Sequence, residues 1–320
     1  MKIIGTGSAM PKHTVSNAML SEFLDTSDEW IVPRTGIHTR QIITDETLQE
    51  LAATAARKAL EDSGLKAEDR EFILCSNVAS NYVTPAMSAF IQEATGCTCP
   101  FLDINGACAG FIYALDIADA YMKSGRAKNV LIVCAEEVTK FCNWKQRETS
   151  VLFGDGAGAV VVSCDGEDMP VVLTGDSSHR DVITYRRRLE STPFEDASTS
   201  IDEAMILKGR DVFRLAVTAS QRDIKAVMEK AGLEAKDIRY FMLHQANKRI
   251  VAAIQENMGL PDENFPTNID HTGNTSSASL PLLIDEMARQ GRMHQGDRLL
   301  LNAFGAGFVT GAAIVKWGKK

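Results

Sequence analysis

The sequence lacks the features that mark a membrane protein or a nucleic-acid-binding protein. Its longest charge-free apolar stretch, residues 299–315, falls short of the roughly 20 residues that a membrane-spanning helix needs, and a buried strand–turn–strand explains it better. Acidic residues outnumber basic residues by 42 to 34, which gives a net charge of −8. We therefore expect no membrane and no nucleic acid among its partners.

The seven cysteines show neither a metal-ligand spacing nor a disulfide framework. Cys97 and Cys99 form a C-x-C pair, but no second pair and no nearby histidine follows, so we expect no metal. The amino-terminal segment turns polar too early for the apolar core of a signal peptide, which favours a reducing, cytoplasmic compartment. Cys75, Cys134 and Cys164, like Cys97, are expected to pack in the interior.

A complete dinucleotide-binding fingerprint is also missing. Neither GTGSAM nor GDGAGA extends to G-x-G-x-x-G ahead of a helix. The remaining composition, with 45% hydrophobic and 24% charged residues, is that of an ordinary globular protein. With 320 residues, the chain is long enough for two domains or for one large unit of two parts.

Two pairs of segments repeat along the chain, in the same order and without gaps. The first pair is 63–76 and 231–244, offset by 168 residues (231 minus 63). The second pair is 105–126 and 271–292, offset by 166 residues (271 minus 105). In each half, amphipathic helices precede apolar strands, and a glycine-rich turn leads into a last apolar strand. Two matches at nearly the same offset indicate one α/β unit used twice.

The repeat predicts two similar α/β halves, residues 1–165 and 166–320, related by a pseudo-two-fold axis. Alternating strands and helices favour mixed or parallel sheets covered by helices, with sites at the carboxyl ends of the strands. The second alignment places Asn274 at the position equivalent to Cys108, and the first places His244 at the end of a strand. Equivalent strand ends and helix starts converge near such an axis, so we expect these three side chains to meet.

Cys108 lies where a predicted strand turns into a helix, among glycines and alanines that leave room for a substrate. The partial positive charge and free N–H groups of a helix start stabilise a thiolate, which predicts a lowered pKa for the thiol. Each residue also has a structural interpretation: Cys108 as a core thiol, His244 as a structural histidine and Asn274 as a helix cap. The repeat joins all three and favours the catalytic interpretation.

Four segments, NGACAGF, LHQANKRI, HTGNTSSAS and AFGAGF in that order, resemble β-ketoacyl-acyl carrier protein synthase III. This family is the initiating condensing enzyme of bacterial fatty-acid synthesis. DEWIVPRTGIHTR near the amino terminus and RETSVLFGDGAGA in the middle extend the resemblance over nearly the whole chain. The resemblance implies a thiolase-like α/β fold in αβαβα layers, and its duplicated architecture agrees with the repeat.

The resemblance also implies an acyltransferase that uses CoA thioesters as substrates and needs no cofactor. Cys108 would take the acyl group from an acyl-CoA. His244 and Asn274 would donate hydrogen bonds to the thioester oxygen of malonyl-acyl carrier protein and stabilise the enolate that forms as carbon dioxide leaves. The carbanion would then attack the acyl-cysteine, and the backbone N–H groups of Cys108 and Ala306 would form the oxyanion hole.

By the same resemblance, two binding regions and a homodimer are expected. The residues that match the family's CoA contacts are Trp30, Arg34, Arg147 and Asn247. Those that match its docking region for the acidic carrier protein are Gln245, Ala246, Asn247, Lys248 and Arg249. Arg210 and Arg214 are four residues apart and so share one helix face, which is expected either to add charge to this region or to be an ordinary exposed face. Thr84 stands where the family's primer-pocket residue reaches across the dimer, and its small size predicts room for longer or branched primers.

Three departures from the family leave a specialised relative open. Ala306 stands where the family usually has a glycine, so its backbone must keep φ below zero or bear strain. The pair His271–Thr272 is unusual before Asn274, and the segment 177–202, with Arg186 to Arg188, fits the family poorly. The alternative function is therefore a secondary-metabolite condensing enzyme or acyltransferase with a special acyl substrate.

More distant alternatives lack a required feature. A degradative thiolase needs a second cysteine in the last glycine-rich loop, and an elongating condensing enzyme needs a second histidine where Asn274 stands; the sequence has neither. A papain-like protease uses Cys, His and Asn in this order, but its C-G-[SA]-C-[WY] signature is absent. A non-catalytic assembly protein of the same fold would form no acyl-cysteine when mixed with acyl-CoA.

Overall fold

The computed structural model describes residues 1–66, 69, 71–165, 167–186 and 205–319. The strands are β1 Lys2–Ala9, β2 His13–Ser16, β3 Thr39–Ile42, β4 Phe72–Ser76, β5 Phe101–Ile104, β6 Asn129–Glu137, β7 Asp155–Ser163, β8 Val171–Gly175, β9 Ile183–Thr184, β10 Ile206–Leu207, β11 Tyr240–Leu243, β12 Arg298–Gly305 and β13 Val309–Trp317. The α-helices are α1 Asn17–Ser21, α2 Asp28–Thr35, α3 Leu48–Ser63, α4 Met87–Thr95, α5 Gly110–Lys123, α6 Arg147–Ser150, α7 Gly209–Ala231, α8 Lys248–Met258, α9 Ile269–Thr272 and α10 Ser279–Arg289. Arg187 and Arg188, which depart from the family pattern, lie outside the described residues.

A large mixed sheet contains the same strand order twice. One part runs β5-β4-β6-β7-β1 and the other runs β11-β12-β13-β8. Strand β4 is parallel to β6 in the first part, as β11 is to β12 in the second. The next two pairs along each part are antiparallel: β6 with β7 and β7 with β1 in the first, and β12 with β13 and β13 with β8 in the second. The parts meet where β1 and β13 pair over two residue pairs only. The predicted duplication is confirmed, and residues 299–315 form the buried strand–turn–strand that the sequence indicates.

Five layers result from where the helices pack. Helix α5 contacts β4 and β6 of one part and β12 and β13 of the other, and α10 contacts β1, β7 and β11. These two helices therefore lie between the two parts of the sheet, within the largest apolar cluster. Helices α3 and α4 cover the outer face of the first part, and α7, with α8 against it, covers the second. This αβαβα arrangement is the predicted fold.

Local sequence signals explain where the outer helices begin and end. At the start of α3, Thr47 accepts a hydrogen bond from the backbone N–H of Glu50, and the Glu50 carboxylate accepts one from the backbone N–H of Thr47. This capping box satisfies donors that the first turn leaves free. Gly64 and Gly232 end α3 and α7 in the left-handed region, at φ of 69° and 64°, where glycine carries no steric penalty. These are the two helix-ending glycines of the first repeat.

The second repeat is misaligned at its start. Gly125 and Gly291 follow α5 and α10 at the predicted offset of 166, both with positive φ. The 3₁₀ turns before these helices, Ala107–Ala109 and Ser276–Ala278, are instead 169 apart (276 minus 107), and each begins with a residue at positive φ. Helix α5 has 14 residues and α10 has 11, so a gapless alignment cannot fit both ends. The prediction that Asn274 is the counterpart of Cys108 was therefore wrong.

The two halves differ most in one connection. Residues 138–154 join β6 to β7, whereas residues 306–308 join the equivalent strands β12 and β13. The longer connection contains a 3₁₀ turn and α6. The predicted division into 1–165 and 166–320 falls in the link between β7 and β8 and stays a prediction, because α5 and α10 pack on both parts of the sheet.

Two further sequence expectations can be compared with the structure. Cys75, Cys97 and Cys134 are buried as expected, but Cys164 is exposed just after β7, so its predicted interior position was wrong. Hydrophobic spacing could not show this, because a residue one position beyond a buried strand already lies at the surface. In the part of the chain that the structure describes, no helix is both long enough and apolar enough to cross a membrane.

Candidate active site

One cavity of about 1250 Å³ contains the three predicted catalytic side chains. Cys108, His244 and Asn274 come from distant parts of the sequence, yet all three line this cavity. Its walls come from both halves of the fold, at the starts of the two central helices and the ends of the strands beside them. The convergence that the repeat predicts is therefore present, although it does not depend on the alignment of Cys108 with Asn274.

Cys108 is held in the tight turn that leads into α5. Ala107 has a φ of 47°, in the left-handed region, which turns the chain sharply before the cysteine. Gly305, at the end of β12, packs against this turn so closely that a Cβ there would lie 2.7 Å from the backbone nitrogen of Cys108. A glycine is therefore required at position 305, because the atom it meets is backbone and cannot move aside.

The thiol of Cys108 is less acidic than its place at a helix start predicts. Burial raises the pKa of the Cys108 thiol to about 11, although hydrogen bonding with the Ser276 hydroxyl, whose Oγ lies 3.3 Å from Sγ, acts in the opposite direction. The expectation of a lowered pKa was wrong, because the loss of water around the sulfur outweighs the favourable contacts. The free thiol needs a proton acceptor before it can act as a nucleophile.

His244 directly follows β11 and is almost completely buried. Its Nδ1 lies 2.7 Å from the Ser279 hydroxyl oxygen, which also accepts a hydrogen bond from the backbone N–H of Gln245 at 3.4 Å. The hydroxyl hydrogen of Ser279 is thus available for Nδ1, which leaves the imidazole hydrogen on Nε2. Burial lowers the pKa of His244 to about 3, so the ring is a neutral hydrogen-bond donor. Sequence reasoning missed Ser279.

Asn274 is fixed by its backbone and by its side-chain oxygen. Its N–H donates to the carbonyl of Leu152 at 2.8 Å, and its carbonyl accepts from the N–H of Gly154 at 3.1 Å. Its side-chain Oδ1 accepts a hydrogen bond from the backbone N–H of Ser276 at 2.9 Å. This contact caps the following turn, as the structural interpretation predicts, and it also leaves the side-chain NH₂ to donate.

Ala306 lies in the short connection after β12 and lines the cavity together with Cys108. Among the described non-glycine residues, positive φ occurs at Ala107 and Ser276 only, so Ala306 keeps φ below zero. The alanine therefore fits this loop without the backbone strain that its substitution for glycine could have caused. Its role in an oxyanion hole remains a prediction.

The expected CoA contacts lie at one side of the cavity. Trp30, Arg34 and Asn247 line it, and Arg147 lies beside them. The guanidinium carbons of Arg34 and Arg147 are 4.6 and 4.3 Å from the centre of the Trp30 ring. The Asn247 side chain donates to the backbone carbonyl of Arg34 at 3.0 Å and caps α8. Aromatic and guanidinium planes of this kind stack on flat heterocycles such as a nucleobase.

The expected docking region for a carrier protein divides into surface and interior residues. Arg249 lies 5.6 Å from the ring centre of Phe213 on α7, the helix that also carries Arg210 and Arg214. Gln245, in contrast, is 0% exposed, and its amide bonds Leu243 and Asn268 within the chain. Gln245 therefore does not fit the predicted docking role, because its side chain is used to hold β11 in place.

The expected primer-pocket residue does not line the cavity of its own chain. Thr84 is exposed, whereas its neighbours Tyr82 and Val83 lie at the cavity wall, with Tyr82 packed against Phe90 at 5.1 Å between ring centres. An exposed Thr84 is compatible with a residue that reaches into a partner subunit. Its role as a primer-pocket residue remains a prediction.

Sequence reasoning also missed a buried carboxylate beside the cysteine. Glu136, near the end of β6, is 0% exposed, and its oxygens accept hydrogen bonds from the backbone N–H groups of Val78 and Ala79 and from the hydroxyls of Ser276 and Ser277. An acidic pair at the end of a strongly apolar strand, CAEE, was the available signal. In the described ranges, no group of three or more His, Cys, Asp or Glu side chains is arranged to hold a metal ion.

Comparison with known proteins places this geometry in a family. Two family models match: 3-oxoacyl-[acyl-carrier-protein] synthase III over residues 102–177, and the carboxyl-terminal domain of the same enzyme over residues 228–317. A β-ketoacyl-[acyl-carrier-protein] synthase III from Clostridium perfringens is 39% identical over 319 residues, covering 98% of both chains.

Solved structures agree with the sequence matches. The β-ketoacyl-[acyl carrier protein] synthase III of Thermus thermophilus has a TM-score of 0.92 at 37% identity and covers 100% of both chains. A priming β-ketosynthase from the R1128 polyketide biosynthetic pathway has a TM-score of 0.89 at 33% identity and covers 99% of this chain and 96% of its own. The chain that carries this Cys–His–Asn cavity on a duplicated αβαβα fold therefore belongs to the 3-oxoacyl-, or β-ketoacyl-, [acyl-carrier-protein] synthase III family.

Proposed function

We propose that this chain condenses an acyl-CoA primer with malonyl-acyl carrier protein to give a β-ketoacyl-acyl carrier protein, the initiating reaction of fatty-acid synthesis. The observation that carries the proposal is the single cavity that joins the thiol of Cys108 to two neutral donors, His244 and Asn274. The names of the relatives at about 39% identity support the same reaction class.

In the first half-reaction, the sulfur of Cys108 attacks the carbonyl carbon of the acyl-CoA thioester. A tetrahedral oxyanion forms, CoA leaves and an acyl-cysteine remains. In this proposal the backbone N–H groups of Cys108 and Ala306, two residues that line the cavity, stabilise this oxyanion, since backbone donors at the start of a helix carry partial positive charge. The close packing of Gly305 against the cysteine turn supports this arrangement, because it brings the two backbones together.

In the second half-reaction, the malonyl group of the carrier protein occupies the same cavity. Nε2–H of His244 and the side-chain NH₂ of Asn274 donate hydrogen bonds to its thioester oxygen, where negative charge grows as carbon dioxide leaves. The enolate carbon then attacks the carbonyl of the acyl-cysteine and releases the cysteine sulfur. A neutral imidazole suits this role because its pKa of about 3 keeps one donor hydrogen on the ring at working pH.

The substrates reach Cys108 through the mouth of the cavity. Trp30, Arg34, Arg147 and Asn247 bind the CoA nucleotide and pantetheine, because the Trp30 ring and its two guanidinium neighbours form a stacking site. The acidic carrier protein docks on a basic patch beside the mouth, formed by Lys248, Arg249, Arg210 and Arg214 with Ala246. No cofactor takes part, since every bond that changes belongs to a thioester, a carboxylate or Cys108.

The functional unit that we propose is a homodimer in the cytoplasm. Strand β5 is the last strand in its part of the sheet, and its side chains Phe101 and Leu102 are 39% and 46% exposed. An apolar edge strand of this kind is commonly protected by pairing with a second copy across a two-fold axis. All seven cysteines are free thiols, which suits a reducing compartment.

The alternative is a condensing enzyme of a secondary pathway that loads a specialised acyl group. The 33% identity to a priming β-ketosynthase of a polyketide pathway keeps this candidate open. The two candidates share the chemistry of the site and differ in the acyl primer.

The test is a condensation assay with malonyl-acyl carrier protein and acetyl-, butyryl-, isobutyryl- and octanoyl-CoA. We expect a β-ketoacyl-carrier product, and acyl mass on the peptide that contains Cys108. A Cys108→Ala variant should lose both signals. Acylation at another cysteine, or no product with any primer, would overturn the proposal. Activity with only an unusual acyl-CoA would favour the secondary pathway.

A further inference from the structure

The hydroxyl of Ser276 lies between the sulfur of Cys108 and the buried carboxylate of Glu136. Ser276 Oγ is 3.3 Å from Cys108 Sγ and 3.4 Å from Oε1 of Glu136. Glu136 is fully buried, and among the described ion pairs none includes it. A buried carboxylate without a cation is costly to keep ionised, so the position calls for an explanation.

The hydrogen-bond partners of Glu136 divide between its two oxygens. Oε2 accepts from the backbone N–H groups of Val78 and Ala79, at 3.1 and 3.3 Å. Oε1 accepts from Ser277 at 2.6 Å and faces Ser276 at 3.4 Å. All these partners are donors, so they favour the ionised carboxylate and hold it in one orientation.

Ser276 links this carboxylate to the thiol. A serine hydroxyl has one hydrogen, so it cannot donate to Glu136 and to Cys108 at the same time. When Ser276 donates its hydrogen to the carboxylate, its Oγ can accept a hydrogen bond from the S–H of Cys108. The positive φ of Ser276, 52°, and its backbone hydrogen bond to Asn274 hold the hydroxyl in the cavity wall.

The other candidate acceptor in the cavity is a weak one. Burial lowers the pKa of His244 to about 3, and its Nδ1 is occupied by the Ser279 hydroxyl. A group with so low a pKa is a weak base and is poorly suited to accept the proton of a thiol. The proton of Cys108 therefore needs another path.

We propose that Ser276 passes the thiol proton of Cys108 to Glu136 when the enzyme is acylated, and returns it when the acyl group leaves. This inference deepens the proposed function and rests on it for the identity of the acyl donor. Ser276 touches the reacting sulfur, whereas Glu136 acts through Ser276 as a positioning and proton-accepting residue.

The bonds and protons of the cycle balance. In acylation, the S–H bond of Cys108 breaks, the thiol proton moves to Ser276, and the hydroxyl proton of Ser276 moves to the Glu136 carboxylate. The C–S bond to CoA breaks as the new thioester forms, and the CoA thiolate takes a proton from solvent. In condensation, the enolate displaces Cys108 as a thiolate, which regains its proton from Glu136 along the same path. One proton from solvent is consumed per turnover, and the carboxylate of the malonyl group departs as carbon dioxide.

The surroundings of Glu136 suit an acceptor that works near neutral pH. Burial raises the pKa of Glu136 to about 7, while the hydroxyl of Ser277, the two backbone N–H groups and the hydroxyl of Ser276 lower it. The titratable groups that face it are the thiols of Cys75, Cys108 and Cys134, which are neutral in this range. A base with a pKa close to the working pH transfers protons efficiently in both directions.

The experiment measures single-turnover acylation of Cys108 by acyl-CoA, and its alkylation by iodoacetamide, from pH 5.5 to pH 9 (roughly two units either side of neutral, where such a base titrates). In the unmodified enzyme both rates should rise through an inflection near the pKa of Glu136. Glu136→Gln and Ser276→Ala should each slow acylation at neutral pH by about 10²–10⁴-fold and remove this inflection. Ser276→Gly, which accommodates the positive φ without a hydroxyl, should behave like Ser276→Ala.

Ser277→Ala is the matched control. It removes a hydrogen bond that stabilises the ionised Glu136 but leaves the path from Cys108 through Ser276 in place. The inflection should therefore persist and move to higher pH, a shift that a merely structural role for Glu136 would not produce. Circular dichroism and Tm values identify any variant that fails to fold.

Two outcomes separate this inference from the proposed function. If acyl-CoA never acylates Cys108 while iodoacetamide labelling still depends on Glu136, the proposed function fails and the proton path stands. If Glu136→Gln folds, becomes acylated within threefold of the normal rate and keeps the inflection, the proton path is refuted and the proposed function stands.

Discussion

The side-chain oxygen of Asn274 accepts a hydrogen bond from the backbone N–H of Ser276 at 2.9 Å, so its NH₂ group is the part left to bind a substrate. This contact leaves the side-chain NH₂ of Asn274 as the group that can donate a hydrogen bond. Because the contact uses the backbone of Ser276, substitutions of the Ser276 side chain leave it in place.

Asn274→Ala should reduce the decarboxylation of malonyl-acyl carrier protein by roughly 10²–10³-fold, since it removes one donor to the enolate oxygen. Acylation of Cys108 should keep much of its rate, because that step uses other donors. Carbon dioxide release and acyl-enzyme formation are measured separately. Normal decarboxylation combined with blocked acylation would show that the roles are assigned wrongly.

The buried His244 predicts a pH dependence of folding stability. Its folded-state pKa of about 3 lies below the ordinary value of 6.5, so the unfolded chain binds the proton more readily and stability falls as the pH falls from 6.5 toward 3. Between pH 6.5 and pH 5, unmodified protein should lose about 2 kcal/mol relative to His244→Gln. Urea unfolding of both proteins at both pH values gives this difference, and parallel curves would contradict it.

Gly305→Ala adds only one methyl group but should slow the acylation of Cys108 strongly. The added Cβ would lie 2.7 Å from the backbone nitrogen of Cys108 and would displace the cysteine turn. A displacement of about 1 Å at a reacting group can cost roughly 10²-fold in rate. Gly175→Ala is the control, because a Cβ there meets nothing within 4 Å. Equal acylation rates in the two variants would rule out the close packing as a requirement.

Charge reversal should identify the carrier-docking patch. Arg214→Glu and Arg249→Glu should raise KM for malonyl-acyl carrier protein several-fold, and this KM should then depend less on the salt concentration. The KM for acyl-CoA should not rise. Lys225→Glu, an exposed change elsewhere on α7, is the matched control. An equal effect of all three variants would indicate a general charge effect and not a docking surface.

Primer choice tests the position of Thr84. We expect butyryl-, isobutyryl- and octanoyl-CoA to compete well with acetyl-CoA in the unmodified enzyme, because a small side chain that reaches into the pocket of a partner subunit would leave space for several methylenes. Pockets distinguish a single methylene by ~1–3 kcal/mol, so Thr84→Phe should lower kcat/KM for the longer primers by at least about 10-fold and spare acetyl-CoA. Strict acetyl preference that Thr84→Phe does not change would contradict this expectation.

Local patterns were sufficient to predict the duplicated fold and the meeting of Cys108, His244 and Asn274. Helix-ending glycines, amphipathic spacing and apolar strands are properties of short segments, and the sequence shows them directly. The alignment of Cys108 with Asn274 failed because α5 has 14 residues and α10 has 11, and a repeat without gaps cannot express such a difference.

These local patterns could not predict the environment of each side chain. Glu136 and Ser276 are 140 residues apart in sequence, and their contact exists only after both halves are packed. The pKa of Cys108 depends on how much water the folded cavity leaves around the sulfur. Gln245 was assigned to the surface because it adjoins basic residues, whereas the folded chain uses its amide to join β11 to the segment before α9.

The unequal connections between equivalent strands give the two copies of the unit different tasks. Residues 138–154 provide the carbonyl of Leu152 and the N–H of Gly154 that hold Asn274, and they include Arg147 at the Trp30 ring. Residues 306–308, their short counterpart, follow Gly305, which packs against the cysteine turn, and they place Ala306 in the wall of the same cavity. The difference in loop length therefore lets two copies of one α/β unit contribute different groups to a single cavity.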